Sequence, residues 1–393
     1  MNAPAPGTFD YQLSASQEER ARKLHQESIV FDLLCQHAGG NIFDHFPKDI
    51  QTEFYEKMKG AGVGLEACIW AEYWPYEMSR QGRCDLLPQW LRQSGLTCGT
   101  YLIGVHEGND PLWNGWETHT NRYRDLPWLR YVTKADEIRQ AKKDGVIAFY
   151  AHCQPVSPAP RNLKAFDVAY QKGLRSFMLT YNRMDNIGVG CTERVDAGLS
   201  MFGVELVKHL NDIGMQVDTS HCGHMTTMDA CRQSTRPVNA NHTAAKGIHP
   251  HPRAKSDDAL RAIADTGGII GLLTVPTFLT KDPNPTMEHM LDHIDYIANL
   301  VGWQHVSIGT DWPLQAPDDV VLDTFGVDPQ LGFRKAEGNR PADIDLTKKL
   351  KGFDDLRDMP NITRGLVKRG YSDEQIRGIL GENALRVFKE VCG

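Results

Sequence analysis

Two histidines of this chain each stand just behind a short apolar run. His221 follows MQVDT (215–219) after one serine, and His242 directly follows PVNAN (237–241). If the two runs are neighbouring parallel strands, the imidazoles lie at one edge of the sheet, where they can bind one metal ion or one polar substrate group. The alternative is a pair of structural histidines held by buried hydrogen bonds. This pair is the strongest chemical signal in the sequence.

Other reactive side chains follow further apolar runs. Asp311, in SIGTDW, is a candidate metal ligand or a general base acting on a bound water, and its alternative role is a helix N-cap. His152 and Tyr181 are candidate catalytic residues that would stabilise an oxyanion. Further polar residues at strand ends are candidates for binding a substrate or a metal: Gln36, His37, Gln154 and Asn182.

The loop HPHPRAKSDD carries three more candidates. Arg253 can clamp a substrate carboxylate through two parallel hydrogen bonds, or it can be a surface charge that pairs with Asp257 or Asp258. His249 and His251 have the spacing of an HxH metal motif, but both flank prolines in an irregular segment. We expect these two histidines to be solvated.

Eight short apolar runs predict the strands that position these side chains. They are nearly continuous in apolar residues, as in parallel strands covered by helices. Between two of them, an apolar stripe of leucines and Phe202 predicts an amphipathic helix that ends near Gly214. We predict an α/β fold of the (β/α)8 TIM barrel type, with strands at 28–34, 63–70, 146–150, 175–180, 215–219, 237–241, 268–275 and 305–309.

An open, doubly wound sheet is the alternative α/β layout. No GxGxxG or GxxxxGK[ST] motif follows the first run, which disfavours a nucleotide-binding sheet and favours the closed barrel. We predict an N-terminal extension and helix at 1–27, in which Ser16 and Glu19 have the spacing of a capping box. One barrel domain is predicted to cover 28–393.

Two stretches are longer than ordinary loops. Residues 71–131 carry five tryptophans and are predicted to form an aromatic-rich, partly helical insertion after strand two. We expect its Trp113 and Trp116 to serve packing rather than ligand stacking. Residues 311–360 are rich in Pro, Asp and Gly, and they predict a long loop after strand eight that can act as a lid.

Composition excludes several functional classes. The chain of 393 residues has 43 Lys and Arg against 50 Asp and Glu, and this absence of a basic excess argues against binding to nucleic acid or to a membrane surface. No segment approaches the ~20 apolar residues of a membrane span. The nine cysteines are odd in number and lack CxxC pairs, so we expect reduced thiols and a cytoplasmic protein.

Five segments together resemble the renal or membrane dipeptidases, the M19 peptidases of the amidohydrolase barrel group. They are GLRSFMLTYNRMDNIGVGCTERVDAGLSMFG (173–203), VDTSHCG (217–223), PVNANH (237–242), SIGTDW (307–312) and FDDLRDMPNITRGLVKRGYSDEQIRGILGENALRVFKEV (353–391). The resemblance covers most of residues 28–391. It implies an amidohydrolase-like barrel, a small-molecule substrate, and two zinc ions bridged by a hydroxide that attacks a dipeptide or another small amide. It also implies a possible homodimer.

The resemblance assigns roles to individual residues. His221 and His242 match the two histidines of one metal site, and Asp311 matches the acidic residue near the attacking water. Arg253 matches the arginine that binds the substrate carboxylate. Tyr181 stands where many family members have a histidine that contacts the substrate oxyanion.

Three positions depart from the family pattern. The His-x-Asp pair that ends the first strand in the family falls on Leu34 and Gln36, and the bridging glutamate falls on Gln154. Because a bridging carboxylate offsets the repulsion between two divalent ions, these changes should abolish a two-metal site. We expect at most one divalent metal, zinc by the resemblance, held by His221 and His242 with Gln154 or Asp311. A metal-free site is the alternative.

Three functions are therefore open. The first is a metal-dependent hydrolase of a small, carboxylate-bearing amide or peptide-like substrate. The second is a lyase, decarboxylase or isomerase on the same barrel, in which histidines including His37 and His152 act as acids and bases and Arg253 anchors the substrate. The third is a non-catalytic binding protein.

Overall fold

The computed structural model describes residues 7–35, 42–61, 65–105, 125–155, 159–311 and 348–393. Its centre is a parallel sheet with the strand order β1-β3-β4-β5-β6-β7-β8, and β2 pairs with the first residues of β3. The strands are β1 Cys98–Val105, β2 Leu129–Tyr131, β3 Ile147–Pro155, β4 Leu174–Met178, β5 Gln216–Asp218, β6 Val238–Thr243, β7 Ile270–Leu272 and β8 Val306–Ile308.

A short extended segment closes this sheet into a barrel. Phe31 pairs in parallel with Cys98 of β1, and Asp32 pairs in parallel with Ile308 of β8. The Asp32 amide donates to the Cys98 carbonyl, and the Leu33 amide donates to the Ile308 carbonyl, both at 2.9 Å. The closing segment, β1 and β3 to β8 together form the eight parallel strands of the barrel wall, here called staves, which is the number that the (β/α)8 prediction requires.

Seven of the eight predicted runs overlap a stave, and the run at 63–70 does not. The described part of that run, residues 65–70, lies in the first turns of a 16-residue helix, Leu65–Arg80, and the second stave is β1. A short apolar run has no periodicity that separates a strand from a buried helix, which explains the error. The aromatic-rich insertion consequently begins before the second strand instead of after it.

Helices cover the outside of the barrel. In chain order, the helices of the described segments are α1 Ala15–Glu27, α2 Lys48–Ala61, α3 Leu65–Arg80, α4 Leu86–Gln93, α5 Ala135–Asp144, α6 Leu163–Lys172, α7 Met201–Ile213, α8 His224–Gln233, α9 Asp257–Asp265, α10 Pro276–Leu279, α11 Met287–Val301, α12 Pro360–Lys368, α13 Asp373–Arg377 and α14 Asn383–Cys392. None of these helices is long and apolar enough to cross a membrane.

Two of these helices test the sequence predictions directly. The predicted helix before the barrel is α1, but its capping box is formed by Ser14 and Gln17 instead of Ser16 and Glu19. The predicted amphipathic helix is α7, which ends at Gly214 with φ +78° and buries Leu206 and Leu210 against the barrel.

The aromatic insertion contributes to the core where it is described. Trp74 in α3, Trp90 in α4 and Trp128 before β2 are all buried and pack in the hydrophobic core. Trp113 and Trp116 lie outside the described residues, as does most of the loop predicted to act as a lid.

The buried Asp32 carboxylate fastens the closing segment to the end of β8. Its Oδ1 accepts hydrogen bonds from the backbone amides of Leu34 and Thr310, and its Oδ2 accepts one from the Thr310 hydroxyl at 2.6 Å. Burial raises the pKa of Asp32 to about 6, although these hydrogen bonds oppose the rise. The folded protein therefore holds a proton on Asp32 more tightly than the unfolded chain does.

We predict that Asp32→Asn changes how stability depends on pH. Between pH 4 and pH 6 the folded Asp32 binds a proton that the unfolded residue has released, so its contribution to stability falls as the pH rises. Over that range the wild type should lose roughly 2–3 kcal/mol of unfolding free energy relative to Asp32→Asn. Urea unfolding followed by circular dichroism at each pH measures the difference.

Thr310→Val is the matched variant for this prediction. It removes the hydroxyl that donates to Oδ2 and keeps the backbone donor, so the loss of stability with rising pH should become larger. A difference between wild type and Asp32→Asn that stays constant from pH 4 to pH 6 would contradict the role assigned to this carboxylate.

Candidate functional site

The carboxyl ends of β3, β5 and β6 bring the predicted histidines and Gln154 to one edge of the barrel; β5 and β6 are neighbours, and β4 separates them from β3. Gln154 is near the end of β3, His221 follows β5 by three residues, and His242 lies in β6. The register of β6 against β7 shifts between Ala240 and Thr243, an irregularity of the kind that re-aims side chains next to active sites. The rings of His221 and His242 have their centroids 5.0 Å apart.

Amide side chains on both sides hold the His221 ring. Its Nδ1 lies 2.7 Å from Oδ1 of Asn182, and its Nε2 lies 3.1 Å from Nε2 of Gln154. Because Asn Oδ1 only accepts and Gln Nε2 only donates, the proton of this imidazole is on Nδ1 and the lone pair of Nε2 faces Gln154. Tyr181 stacks on the ring at 4.2 Å.

His242 has no such support from side chains. It is completely buried, and neither ring nitrogen has a hydrogen-bond partner among the described residues. Burial, followed by the charge of Arg253, lowers the pKa of both His242 and His221 well below the ordinary histidine range. The site therefore presents two neutral imidazoles.

Arg253 is buried in the same place, which excludes the alternative of a surface charge paired with Asp257 or Asp258. One guanidinium nitrogen donates to the carbonyl of Ser220 at 2.5 Å, and another donates to the carbonyl of His242 at 3.3 Å. Its Nε is buried and has no partner in the described part of the chain. This cation links the two strand ends that carry the histidines.

Asp311 lies where the barrel closes. Its amide donates to the carbonyl of Leu34 at 2.9 Å, and its φ of +48° is in the left-handed region, which aspartate tolerates better than most residues. The backbone thus places Asp311 beside the end of the first stave. Gln36 and His37 lie outside the described residues.

His152 faces the barrel interior. Its Nδ1 lies 2.9 Å from Oγ of Ser176, its Nε2 lies 3.6 Å from Oδ2 of Asp218, and its side chain has no exposed surface. Burial lowers the pKa of His152 to about 4, although the Asp218 charge opposes this. Its nitrogens therefore face support groups on β4 and β5.

Sequence reasoning missed two charged residues that organise the site. Asp218 accepts hydrogen bonds at Oδ1 from the Ser220 amide, the Ser220 hydroxyl and the Asn241 amide. Lys255 is buried and donates to the carbonyls of Thr219 and Cys222. Asp218 stands inside the apolar run 215–219, where a buried charge is a detectable signal; Lys255 lies in a charged loop and gives none.

His249 and His251 are buried, so the prediction that they are solvated is wrong. Their rings stack with centroids 6.0 Å apart, and the His251 ring lies 4.7 Å from Phe278. Nδ1 of His251 accepts the Arg253 amide at 3.1 Å. Backbone hydrogen bonds from His249 to the Ala245 carbonyl and from His251 to the His249 carbonyl hold the loop in this buried conformation.

The atoms at this edge that could coordinate a metal ion are neutral. No group of three or more His, Cys, Asp or Glu side chains suited to a metal occurs within the described ranges. The lone pair of His221 Nε2, the unpartnered nitrogens of His242 and the unpartnered Oε1 of Gln154 are neutral donors. None of these donor atoms is a carboxylate oxygen, so the set lacks the bridging ligand that a pair of ions needs.

A large cavity lies away from this site. Its volume is about 910 Å³, and α1, the end of α4 and the first residues of β3 line it, together with Lys142. Because these residues precede the strands or begin them, the cavity opens at the amino-terminal face of the barrel. Catalytic groups of such barrels lie at the opposite face.

Comparison with known proteins gives a consistent result. A family model described as "Membrane dipeptidase (Peptidase family M19)" matches residues 18–320 and 343–392. The chain is 28% identical over 271 residues to an uncharacterized dipeptidase of Schizosaccharomyces pombe, covering 67% of this chain and 58% of that protein. It is 30% identical over 223 residues to an uncharacterized protein in the pqqA 5′ region of Klebsiella pneumoniae, covering 53% of this chain and 81% of that protein.

The architecture matches a solved structure over nearly its whole length. An amidohydrolase from Pseudomonas aeruginosa superposes with a TM-score of 0.72 and 27% identity, covering 95% of this chain and 99% of that one. The described barrel is thus of the amidohydrolase type.

We predict that the neutral site histidines make the protein sensitive to acid. A histidine whose folded pKa is depressed contributes stability that is present above pH 6.5 and is lost as the pH falls. Between pH 6 and pH 5, each such histidine should add about 1.4 kcal/mol per pH unit to the slope of unfolding free energy. Urea unfolding of chelator-treated protein at several pH values gives this slope.

His242→Asn should lower the slope of unfolding free energy against pH by about 1.4 kcal/mol per pH unit, the contribution of one proton. His25→Asn is the matched comparison, because burial also lowers the pKa of His25 to about 4, in α1 outside the site. Equal slopes for wild type and His242→Asn would show that His242 is charged in the folded protein.

Proposed function

Because the chain belongs to the membrane dipeptidase family, peptidase family M19, it is a hydrolase of the dipeptidase type, and we propose that its substrate is a small amide or peptide-like molecule that bears a carboxylate. The observation that carries this proposal is the pair of neutral imidazoles, His221 and His242, on adjacent stave ends. Imidazoles that keep their lone pairs at neutral pH are suited to an ion that activates water.

The proposed cofactor is one divalent ion, zinc. His221 Nε2, His242 and Gln154 Oε1 would hold it after the Gln154 amide turns over, which exchanges its nitrogen and oxygen and breaks only the hydrogen bond to His221. Such an ion supplies a Lewis acid and lowers the pKa of a bound water. Asn182 has the orienting role, because its Oδ1 fixes the tautomer of His221.

The residues around this pair have distinct proposed roles. Asp311 receives the proton of the attacking water, and Tyr181 stabilises the developing oxyanion. Gln36 and His37, which follow the first stave, would bind the substrate together with Asn182. His152, whose nitrogens face Ser176 and Asp218, would support the site from below instead of touching the substrate.

Buried positive charge supports a substrate that carries a carboxylate. Arg253 and Lys255 are both buried; they donate hydrogen bonds to carbonyl oxygens and to the Thr227 hydroxyl, and neither forms an ion pair with a carboxylate of the described residues. A cation in a low-dielectric site attracts an anionic group strongly. Arg253 also keeps one buried N–H, at Nε, that a substrate oxygen can accept.

We predict one bound zinc per chain. Protein purified without chelator or affinity metal should carry about one equivalent by elemental analysis, and the double variant His221→Ala, His242→Ala should carry none. Hydrolysis of a panel of dipeptides and small amides should stop with chelator and return with zinc, cobalt or manganese. Two equivalents per chain would show that Leu34, Gln36 and Gln154 do not remove the second site.

We predict that Gln154→Glu strengthens zinc binding. A carboxylate at this position adds a negative charge within a few ångströms of the ion, so the dissociation constant should fall about tenfold or more. Gln154→Ala, which lacks the oxygen ligand, should bind zinc more weakly than wild type. Titration against a competing chromophoric chelator measures all three; an unchanged affinity in both variants would remove Gln154 from the ligand set.

The alternative is a lyase, decarboxylase or isomerase reaction that uses histidine acids and bases. The Gln154 amide favours this alternative, because its N–H donates a hydrogen bond to His221 Nε2, whose lone pair an ion would need. Turnover of a carboxylated substrate that chelators do not affect would establish this alternative. A ligand that binds and is never converted would instead indicate a binding protein.

A further inference from the structure

The barrel interior below the two histidines is lined with polar side chains. Asn241 of β6 reaches Ser176 of β4 across β5, with Nδ2 3.4 Å from Oγ. Asp218 of β5 reaches His152 of β3 across β4 at 3.6 Å. Contacts that skip a strand are made only inside a barrel. These four side chains therefore point inward.

Strand periodicity extends this lining towards the barrel floor. Gln216 stands two residues before Asp218, and Asn239 stands two before Asn241, so both face the interior. A Cβ at Gly309 would lie 1.8 Å from the Asn241 carbonyl oxygen, two staves away, so residue 309 also faces inward. Ser307, two positions earlier, shares that face.

Most of these buried groups have no hydrogen-bond partner in the described part of the protein. The unpartnered atoms are both amide atoms of Gln216 and of Asn239, Oδ1 of Asn241, Oδ2 of Asp218, Nε2 of His152 and Oγ of Ser307. Each buried group left unpaired would lower the folding equilibrium constant by about 5- to 150-fold. A cluster of this size must therefore have partners.

The mixture of donors and acceptors identifies the partner. A bound cation would satisfy the oxygens but would repel the amide nitrogens of Gln216 and Asn239. Water both donates and accepts, and buried waters characteristically bridge about three such groups. We propose that the barrel interior beneath His221 and His242 is a built site for a cluster of ordered waters, through which Gln216, Asn239 and Ser307 act as positioning residues for Asp218 and His152.

The hydrogen bonds above the cluster show what it positions. The Asn241 amide can only donate to the Ser176 hydroxyl, so that hydroxyl gives its single proton to Nδ1 of His152. The neutral His152 then carries its proton on Nε2, directed at Asp218 Oδ2. A separation of 3.6 Å is too long for a direct hydrogen bond and suits a shared water.

Asp218 transmits this support to the catalytic face. Its Oδ1 holds the Ser220 hydroxyl, which in turn accepts the His242 amide at 3.0 Å. Removal of the cluster would leave Oδ2 of Asp218 without a partner and would loosen this connection. The water site does not depend on which bond the protein hydrolyses.

The sign of a stability change distinguishes a hydrated interior from a dry one. Asn239→Leu has nearly the same volume and no polar atoms. In a dry interior it removes an unpaired amide and raises the folding equilibrium constant, whereas in a hydrated one it strips waters of a partner. We expect at least a tenfold fall, measured by urea unfolding; a rise overturns the proposal.

Asn239→Ser is the matched control. It keeps a hydroxyl and leaves room for one more water, so its folding equilibrium constant should lie within about threefold of wild type, and an effect as large as that of Asn239→Leu overturns the proposal. Nitrogen chemical shifts of the His152 ring should report the Nε2–H tautomer in all three proteins, because Asn241 and Ser176 set it, but the Nε2 shift should move in Asn239→Leu, where the water that this N–H shares with Asp218 is disturbed, and should not move in Asn239→Ser. Unchanged shifts in Asn239→Leu contradict a positioning role.

A crystal structure of the unaltered protein decides the matter even if the variants do not fold. At a resolution that shows ordered solvent, at least two water peaks should lie within hydrogen-bond distance of Gln216, Asn239 and Asp218 Oδ2. Density with no peak inside the barrel overturns the proposal.

Discussion

Closure of the parallel sheet between Asp32 and the end of β8 is the constraint on which the site depends. The residues of the site come from segments far apart in the chain, from Leu34 to Asp311, and they share one face only because the first and last staves are joined. The Asp32 carboxylate crosses that joint with two hydrogen bonds, which it accepts from the backbone amide and the hydroxyl of Thr310. Burying a carboxylate raises its pKa and destabilises the folded protein at neutral pH. Closure of the barrel through Asp32 therefore carries an electrostatic cost.

Buried charges with uncharged hydrogen-bond partners also surround the two histidines. Two buried cations, Arg253 and Lys255, donate hydrogen bonds to backbone carbonyl oxygens at the strand ends. Amide side chains orient the His221 ring. Carboxylates are scarce, with Asp218 as the buried one below the pair. Burial and neighbouring positive charge hold both imidazoles neutral, and the orientation of the His221 ring is fixed by two side-chain amides, which do not titrate. The fold supplies a polar site without a dense acidic cluster.

Much of this arrangement could be predicted from the sequence, because a polar residue directly after an apolar run indicates the end of a buried strand. His221, His242 and Gln154 each follow or end an apolar run, and the barrel rule then places them on one face. The run at 63–70 misled because a buried helix and a buried strand are equally apolar over eight residues. The burial of Arg253, His249 and His251 was not predictable, because it depends on how one loop folds back between β6 and α9.

Long-range contacts inside the barrel were also beyond the sequence. Gln216 and Asn239 read as ordinary polar interruptions of apolar runs, and nothing local distinguishes a side chain in the barrel interior from one that faces a helix. Only the pairing of His152 with Asp218, and of Ser176 with Asn241, shows which face is the interior. Those pairs join residues tens of positions apart, and no periodicity reports them.

The neutral character of the donor set has a consequence for ion exchange. Thiol and protonated imidazole ligands must release a proton before they can coordinate, so their affinity for a metal falls steeply with acidity. His221 and His242 have already lost theirs at pH values well below neutrality, and Gln154 has none to lose. These side chains would release no proton when an ion binds, so acidity would not weaken their own hold on the ion in mildly acidic surroundings.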